Sequence, residues 1–269
     1  MDRGDSVAAM PAFEKKTVDA LTIDDERSFR HVALYTDLKE VLRRAGYPFR
    51  VLPKAQEGRA DRALLLNLTF WGAEAGGDIL ETDALPADVV AHAAWHHLAA
   101  KALPKTGARP SADSLFLGEA IASAFDVYLV GRLLGHAPQS SFLETQVPAM
   151  AEAAEATGLE EGAFERMLER IATDPERAFE DLRELLFDAT SSLFACNDVD
   201  EANEALSKHD DHRFAALLHR FELSNWVLYA RAYGDSAPDA RARELDDKLR
   251  REKLPVEWLA AEWVAPALR

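Results

Sequence analysis

The sequence predicts an α+β fold that is predominantly α-helical, with a small N-terminal sheet followed by a long helical region. Three observations carry this. Strand-like runs fall only in the first third, in SFRHVALY, YPFRVLP and RALLLNLTFW. From Pro86 onward the segments are helical in character, opened by Asp, Ser and Pro and closed by Gly. Hydrophobic residues make up 48% and charged residues 29% of the 269-residue chain, the balance of a globular protein with a real core.

In chain order, residues 1–20 read as a loose lead-in and 21–269 as a single α-rich domain, with a small α/β part at 21–85 and a helical part at 86–269. SFRHVALY is predicted as a strand, although SFRHVALYTDLKEVL also reads as one continuous helix. On the strand reading, Thr36-Asp37 starts a short helix that Gly46 closes. YPFRVLP is the second strand and RALLLNLTFW the third. Pro86-Ala87-Asp88 starts a helix that stops before Pro104. After the loop LPKTGARPSADS, Ser111, Asp113 or Ser114 caps a long apolar helix ended by Gly135. AMAEAAEATG and EEGAFERMLERIA form a helical pair, and Asp174-Pro175 opens another helix. DEANEALSKHDDHRFAALLHRFELSNWVLYARAYG supplies one or two more. PDARARELDDKLRREK is predicted to be exposed, and a tryptophan-bearing tail follows.

Composition narrows function. A formal net charge of −16 opposes binding to nucleic acid or to an anionic membrane surface. The N-terminus shows no apolar signal core, and no run approaches the ~20 apolar residues of a membrane span, so the cytoplasm is the expected location. The single cysteine, Cys196, cannot form an internal disulfide and reads as a small buried apolar residue. Dinucleotide, Walker, nucleophile-elbow and Cys-x-x-Cys motifs are all absent.

The informative stretch is HAAWHH. His92 and His96 are four residues apart, so one helix aims both imidazoles at one spot, a donor pair suited to zinc or iron. His97 lies about 100° further round the helix. In the next helix, LFLGEAIASAFDVYLVGRLL, the otherwise apolar run carries Glu119, Ser123 and Asp126 on one stripe. A buried carboxylate needs a partner, and a helix folded back antiparallel brings Glu119 to the histidine pair as a third ligand. Asp126 or Ser123 is then placed to hold the far nitrogen of an imidazole. The competing reading pairs Glu119 and Asp126 with Arg132 or another base inside the fold.

These residues resemble the gluzincin branch of the zinc metallopeptidases. His92-Ala93-Ala94-Trp95-His96 matches its His-Glu-x-x-His motif except at the glutamate, and Gly118-Glu119-Ala120-Ile121-Ala122-Ser123 resembles the helix that brings the family's glutamate ligand. The resemblance spans residues 62–135 and implies a zincin-like helix pair with His92, His96 and Glu119 on a divalent metal. In the family, the glutamate after the first histidine takes the proton from metal-bound water. Ala93 cannot do so, which puts standard peptidase activity in doubt.

Three readings stay open: a retired peptidase that keeps its metal as a binding or scaffold protein; an enzyme whose base is Asp126, His97 or a downstream histidine such as His212; or an iron(II) centre with two histidines and one carboxylate. A small molecule or a peptide is the expected substrate. His209, His212 and His219, with position 216, are spaced to share one helical face, as a second metal edge, a proton donor to the main site or a solvated surface. Trp226, Tyr229 and Tyr233 are spaced as an aromatic face that either packs in the core or lines a pocket.

Overall fold

The computed structural model describes residues 13–70, 78–103 and 109–269. In chain order these form β1 (Glu14–Lys16), β2 (Thr22–Asp24), α1 (Glu26–Phe29), α2 (Ala33–Ala45), β3 (Phe49–Val51), α3 (Ala60–Phe70), β4 (Ile79–Leu80), β5 (Ala84–Pro86), α4 (Ala87–Ala102) and α5 (Ala112–Leu134). They continue with α6 (Ser141–Ala156), α7 (Glu161–Thr173), α8 (Pro175–Ala195), α9 (Val199–Ser207), a 3-10 segment at Ala215–Phe221, α10 (Leu223–Tyr233), α11 (Ala240–Leu249) and α12 (Pro255–Leu259). The fold is α+β and predominantly helical, with its few strands near the N-terminus. The described residues divide into two compact units, one within residues 1–24 and 42–85, the other within 25–41 and 86–269.

The smaller unit holds a three-stranded sheet in the order β1-β3-β4, with β1 antiparallel and β4 parallel to β3. Helix α3 covers it: Ala63 and Leu66 pack on Leu52 and Ile79. The Asn67 amide bonds both the N–H and the carbonyl of Ile79, each at 2.8 Å, in place of a further strand. RALLLNLTFW, expected as a strand, is therefore helical through Phe70, and Trp71 lies outside the described residues. Alanine and leucine favour a helix, the run has one β-branched residue, and Leu64 and Leu65 both face out where strand alternation would bury one. Of the expected lead-in, residues 1–12 lie outside the described residues, while Glu14–Lys16 pairs in the sheet and Val18 is buried.

SFRHVALY is not a strand. It is split between α1 and α2, and Thr36-Asp37 lies inside α2 rather than starting it. Phe29 packs tilted against Tyr35 at 5.1 Å and edge-on against Phe142 at 5.5 Å, so these aromatics are anchors of a helical turn. The predicted ends hold: Gly46 closes α2 at φ 57°, Ser111 caps α5 through the Ser114 N–H, and Asp174 caps α8.

The larger unit is built round α5, which packs against α4, α7 and α8. Among the described residues α5 is the one helix long and apolar enough to cross a membrane, and 89% of its most apolar window is buried inside the fold. Gly131 admits its neighbour: a Cβ there would stand 2.5 Å from the Ile171 carbonyl oxygen and 3.1 Å from Pro175 Cγ. Backbone cannot yield cheaply, so Gly131→Ala is expected to cost about 1–3 kcal/mol, read from the denaturant midpoint, despite alanine's better helix propensity.

Glu176, in the first turn of α8, accepts the Val256 N–H at 2.8 Å and ties α12 to the bundle. Burial, helped by the charge of Glu257, pushes its carboxyl up to about 6 in spite of that bond. Between about 4.5 and 6 the unfolded chain has released a proton that the folded chain still holds. Stability from this group is therefore fully present below that window and falls as pH rises through it. Glu176→Gln keeps an acceptor for Val256 and is expected to gain about 1–2 kcal/mol at pH 7, with a flatter stability profile between pH 4.5 and 6 in denaturant titrations.

Candidate metal centre

Helices α4 and α5 run antiparallel. His96 meets Glu119 and His92 meets Asp126, while Ala99 faces Gly118 near the other end. Small residues allow the approach, since a Cβ at Gly118 would touch the Ala99 methyl at 3.4 Å. Trp95 fixes the rotation of α4. Fully buried, it packs edge-on against Phe125 at 5.3 Å and lies 6.5 Å from Trp263. With Trp95 turned into the core, His92 and His96 come to the seam between the two helices.

There the three sequence-predicted ligands converge. His96 Nε2 is 3.1 Å from His92 Nε2 and 3.0 Å from Glu119 Oε1, and the three donor atoms all lie within 4.8 Å of one another. Ligands about 2.05 Å from a tetrahedral ion stand ~3.3 Å apart, so these edges are a few tenths of an ångström short of those around a bound zinc. Two ring nitrogens facing each other at this distance cannot both carry a proton, and a shared cation satisfies both lone pairs. The His-His-Glu group can hold a metal ion. Glu119 is the buried member, with 7% of its side chain exposed.

Asp126 lies behind the first imidazole, its Oδ2 3.5 Å from His92 Nδ1. A carboxylate on that side favours the tautomer with its proton on Nδ1, which leaves the Nε2 lone pair toward the ligand cluster. Arg132 does not neutralise this stripe; its guanidinium lies over the Tyr128 ring, 5.9 Å from the centroid. A further carboxylate lies within electrostatic reach of Asp126 and His92. Asp88, four residues before His92, has its carboxyl pushed up to about 6 by burial and by the negative charge of Asp126.

A cavity of about 310 Å³ opens beside the ligands. His92, Glu119, Ser123 and Asp126 line one side, and Gln146, Met150, Arg220 and Trp226 another. Trp226 is thus the member of the predicted aromatic face that reaches a pocket; Tyr229 and Tyr233 pair with each other at 4.8 Å. Arg220 had no sequence signal. It comes from the 3-10 segment far along the chain, where a histidine had been the expected contribution.

The other predicted residues lie elsewhere. His97 belongs neither to the ligand group nor to the cavity lining, and burial and Lys101 push its imidazole down to about 4. His212 accepts the Phe214 N–H and sits against Asp181 and Arg213. Nor do His209, His212 and His219 share an α-helical face. Helix α9 ends at Ser207, successive i to i−3 turns follow, and the 3-10 segment winds at three residues per turn. Cys196 is half-buried rather than core, its Sγ donating to the Ser192 carbonyl on the wall of a second, larger cavity. No family model, curated protein or solved structure matches the chain.

Proposed function

We propose that this chain is a metal-dependent protein in which His92, His96 and Glu119 hold a divalent first-row ion, zinc or iron(II), and present it to a small molecule. The observation that carries the reading is the convergence of two Nε2 atoms and a buried carboxylate oxygen on one helix pair, with His96 Nε2 3.1 Å from His92 Nε2 and 3.0 Å from Glu119 Oε1 and all three atoms within 4.8 Å. Structural zinc sites are closed by four protein ligands, whereas catalytic ones keep a position open. Here three ligands stand beside a cavity that His92 and Glu119 also line, which supports chemistry on a bound molecule. Such an ion, when bound, supplies Lewis acidity, or with iron a site for oxygen chemistry. The cavity's size favours a small molecule over a peptide.

The likeness to gluzincins belongs to this proposal and is supported by the antiparallel helix pair and the ligand spacing. Standard peptidase hydrolysis is not proposed. Position 93 carries a methyl group buried in the core, 2% exposed, and offers no base. That observation also favours a second reading, a zincin-like binding or scaffold protein that keeps the ion without turnover.

Protein purified without a histidine tag, stripped with chelator and titrated with Co(II), tests the proposal. The expected result is one ion per chain with the intense visible bands of a low-coordinate site, lost in His96→Ala. Elemental analysis of the protein as isolated separates zinc from iron. Binding of no ion, or equal binding by the His96→Ala chain, overturns the reading.

A further inference from the structure

The cavity beside the ligand group holds a cation that the metal reading does not use. Arg220 is half-buried, and two of its N–H groups are spent on one residue: Nη1 donates to the Gln146 carbonyl at 3.2 Å, and Nη2 donates to the Gln146 side-chain oxygen. Among the described residues no carboxylate lies within ion-pair distance of it. Asp126, which lines the same cavity, attracts it without forming an ion pair. A desolvated guanidinium held in place by neutral acceptors, with donors to spare, is built to receive an anion from solvent.

The charge around the cavity says when that anion enters. Asp88, Glu119 and Asp126 make the region negative, and a free anion there is repelled. A divalent ion on the His92, His96 and Glu119 donors reverses the balance. Met150, Val127, Val130 and Trp226 give the same cavity an apolar wall. At about 310 Å³ it is at the small end of ligand pockets.

We propose that the cavity binds a small carboxylic acid with a short apolar tail, its carboxylate held by Arg220 and its tail against Val127, Val130, Met150 and Trp226, beside the metal position. Anion binding then requires both Arg220 and the ion. This rests on the metal reading given above, and the test keeps the two apart.

The Co(II)-loaded protein is titrated with 4-methylpentanoate and, separately, with the neutral 4-methylpentanamide, by calorimetry and by the visible bands of the ion. The expected result is saturable carboxylate binding at one site per chain that perturbs the bands, with the amide at least tenfold weaker. Chelator-treated protein should bind neither. Arg220→Met should keep the unliganded Co(II) bands, which shows that its fold and metal site are intact, and lose at least tenfold in carboxylate affinity, as expected for a charge-assisted bond. If Arg220→Met does not load, Arg220→Lys, which keeps the charge but not the fork, should show a smaller loss of several-fold. Intact Co(II) bands with no carboxylate binding, or with equal binding of acid and amide, or with full affinity in Arg220→Met or Arg220→Lys, overturn the anion site and leave the metal site standing. Absence of the Co(II) bands in the wild-type chain overturns both.

Discussion

Zinc added to the ion-free protein at a thousandfold excess over its dissociation constant is expected to raise the unfolding free energy by about 4 kcal/mol. For a chain of this size that moves the thermal midpoint by roughly 10 °C. In Glu119→Gln the gain should fall to about 1.4 kcal/mol or less at the same zinc concentration, a third or less of the full thermal shift. Glu119 is the one anionic member of the ligand group and its buried one, so it meets the ion with little water to screen the attraction. A glutamine fills the same space but offers a poor neutral oxygen donor. Loss of outer partners alone costs 10–100-fold in affinity, and loss of the anionic ligand should exceed about 100-fold. Asp126→Asn should fall between, because it loosens the His92 tautomer without removing a ligand. Differential scanning fluorimetry over a zinc series gives all three values. A full shift in Glu119→Gln, or none in the wild-type chain, would falsify the assignment of Glu119 as a ligand.

That the His92, His96 and Glu119 group was legible in the sequence follows from its locality. His92 and His96 belong to one helical turn, so their convergence needs only the helix. Glu119 was found by cost, since a carboxylate in a helix that is otherwise apolar must have a partner. Helix ends were legible for the same local reason, with Gly46, Ser111 and Asp174 acting on their own backbones. Where the reading failed, the deciding interaction was distant or the period ambiguous. RALLLNLTFW is apolar enough for either period, and its packing on Leu52 and Ile79 chose the helix. The histidine face assumed 3.6 residues per turn where the chain winds more tightly. Arg220 reaches the cavity through the fold of the whole larger unit, and nothing in its neighbours announces it. Asp88 was within reach, since it continues the spacing of His92 and His96 by one more turn toward the N-terminus.

PDARARELDDKLRREK was expected to be an exposed charged helix, yet Asp246 within it is buried against Arg183 of α8. Replacing Arg183 by methionine is therefore expected to cost about 3–5 kcal/mol. Its guanidinium is fully buried, with Nε and Nη2 on the two oxygens of Glu180 at 2.9 and 2.6 Å and Nη1 on Asp246 at 2.8 Å. Methionine fills much of the volume, so the loss comes from the two buried carboxylates it strands, of which only Asp246 keeps a cation, Arg250 at 2.9 Å. The intact network is not itself a large net gain. Burial pushes the Glu180 carboxyl up even with Arg183 bonded to it, while Glu180 and Asp246 hold the Arg183 guanidinium charged against its own burial, so the pairing and the desolvation largely offset each other. It follows that removing all the charges together should recover most of the loss. A triple replacement, Arg183→Met with Glu180→Leu and Asp246→Leu, is expected within about 1–2 kcal/mol of wild type in urea unfolding. The exposed pair Arg251–Asp247, 3.6 Å apart at the C-terminal end of α11, is the control, and Arg251→Ala should change stability by less than about 0.5 kcal/mol. A small loss in Arg183→Met would mean that water reaches these carboxylates, while an uncorrected loss in the triple variant would mean that the charges themselves hold α11 against α8.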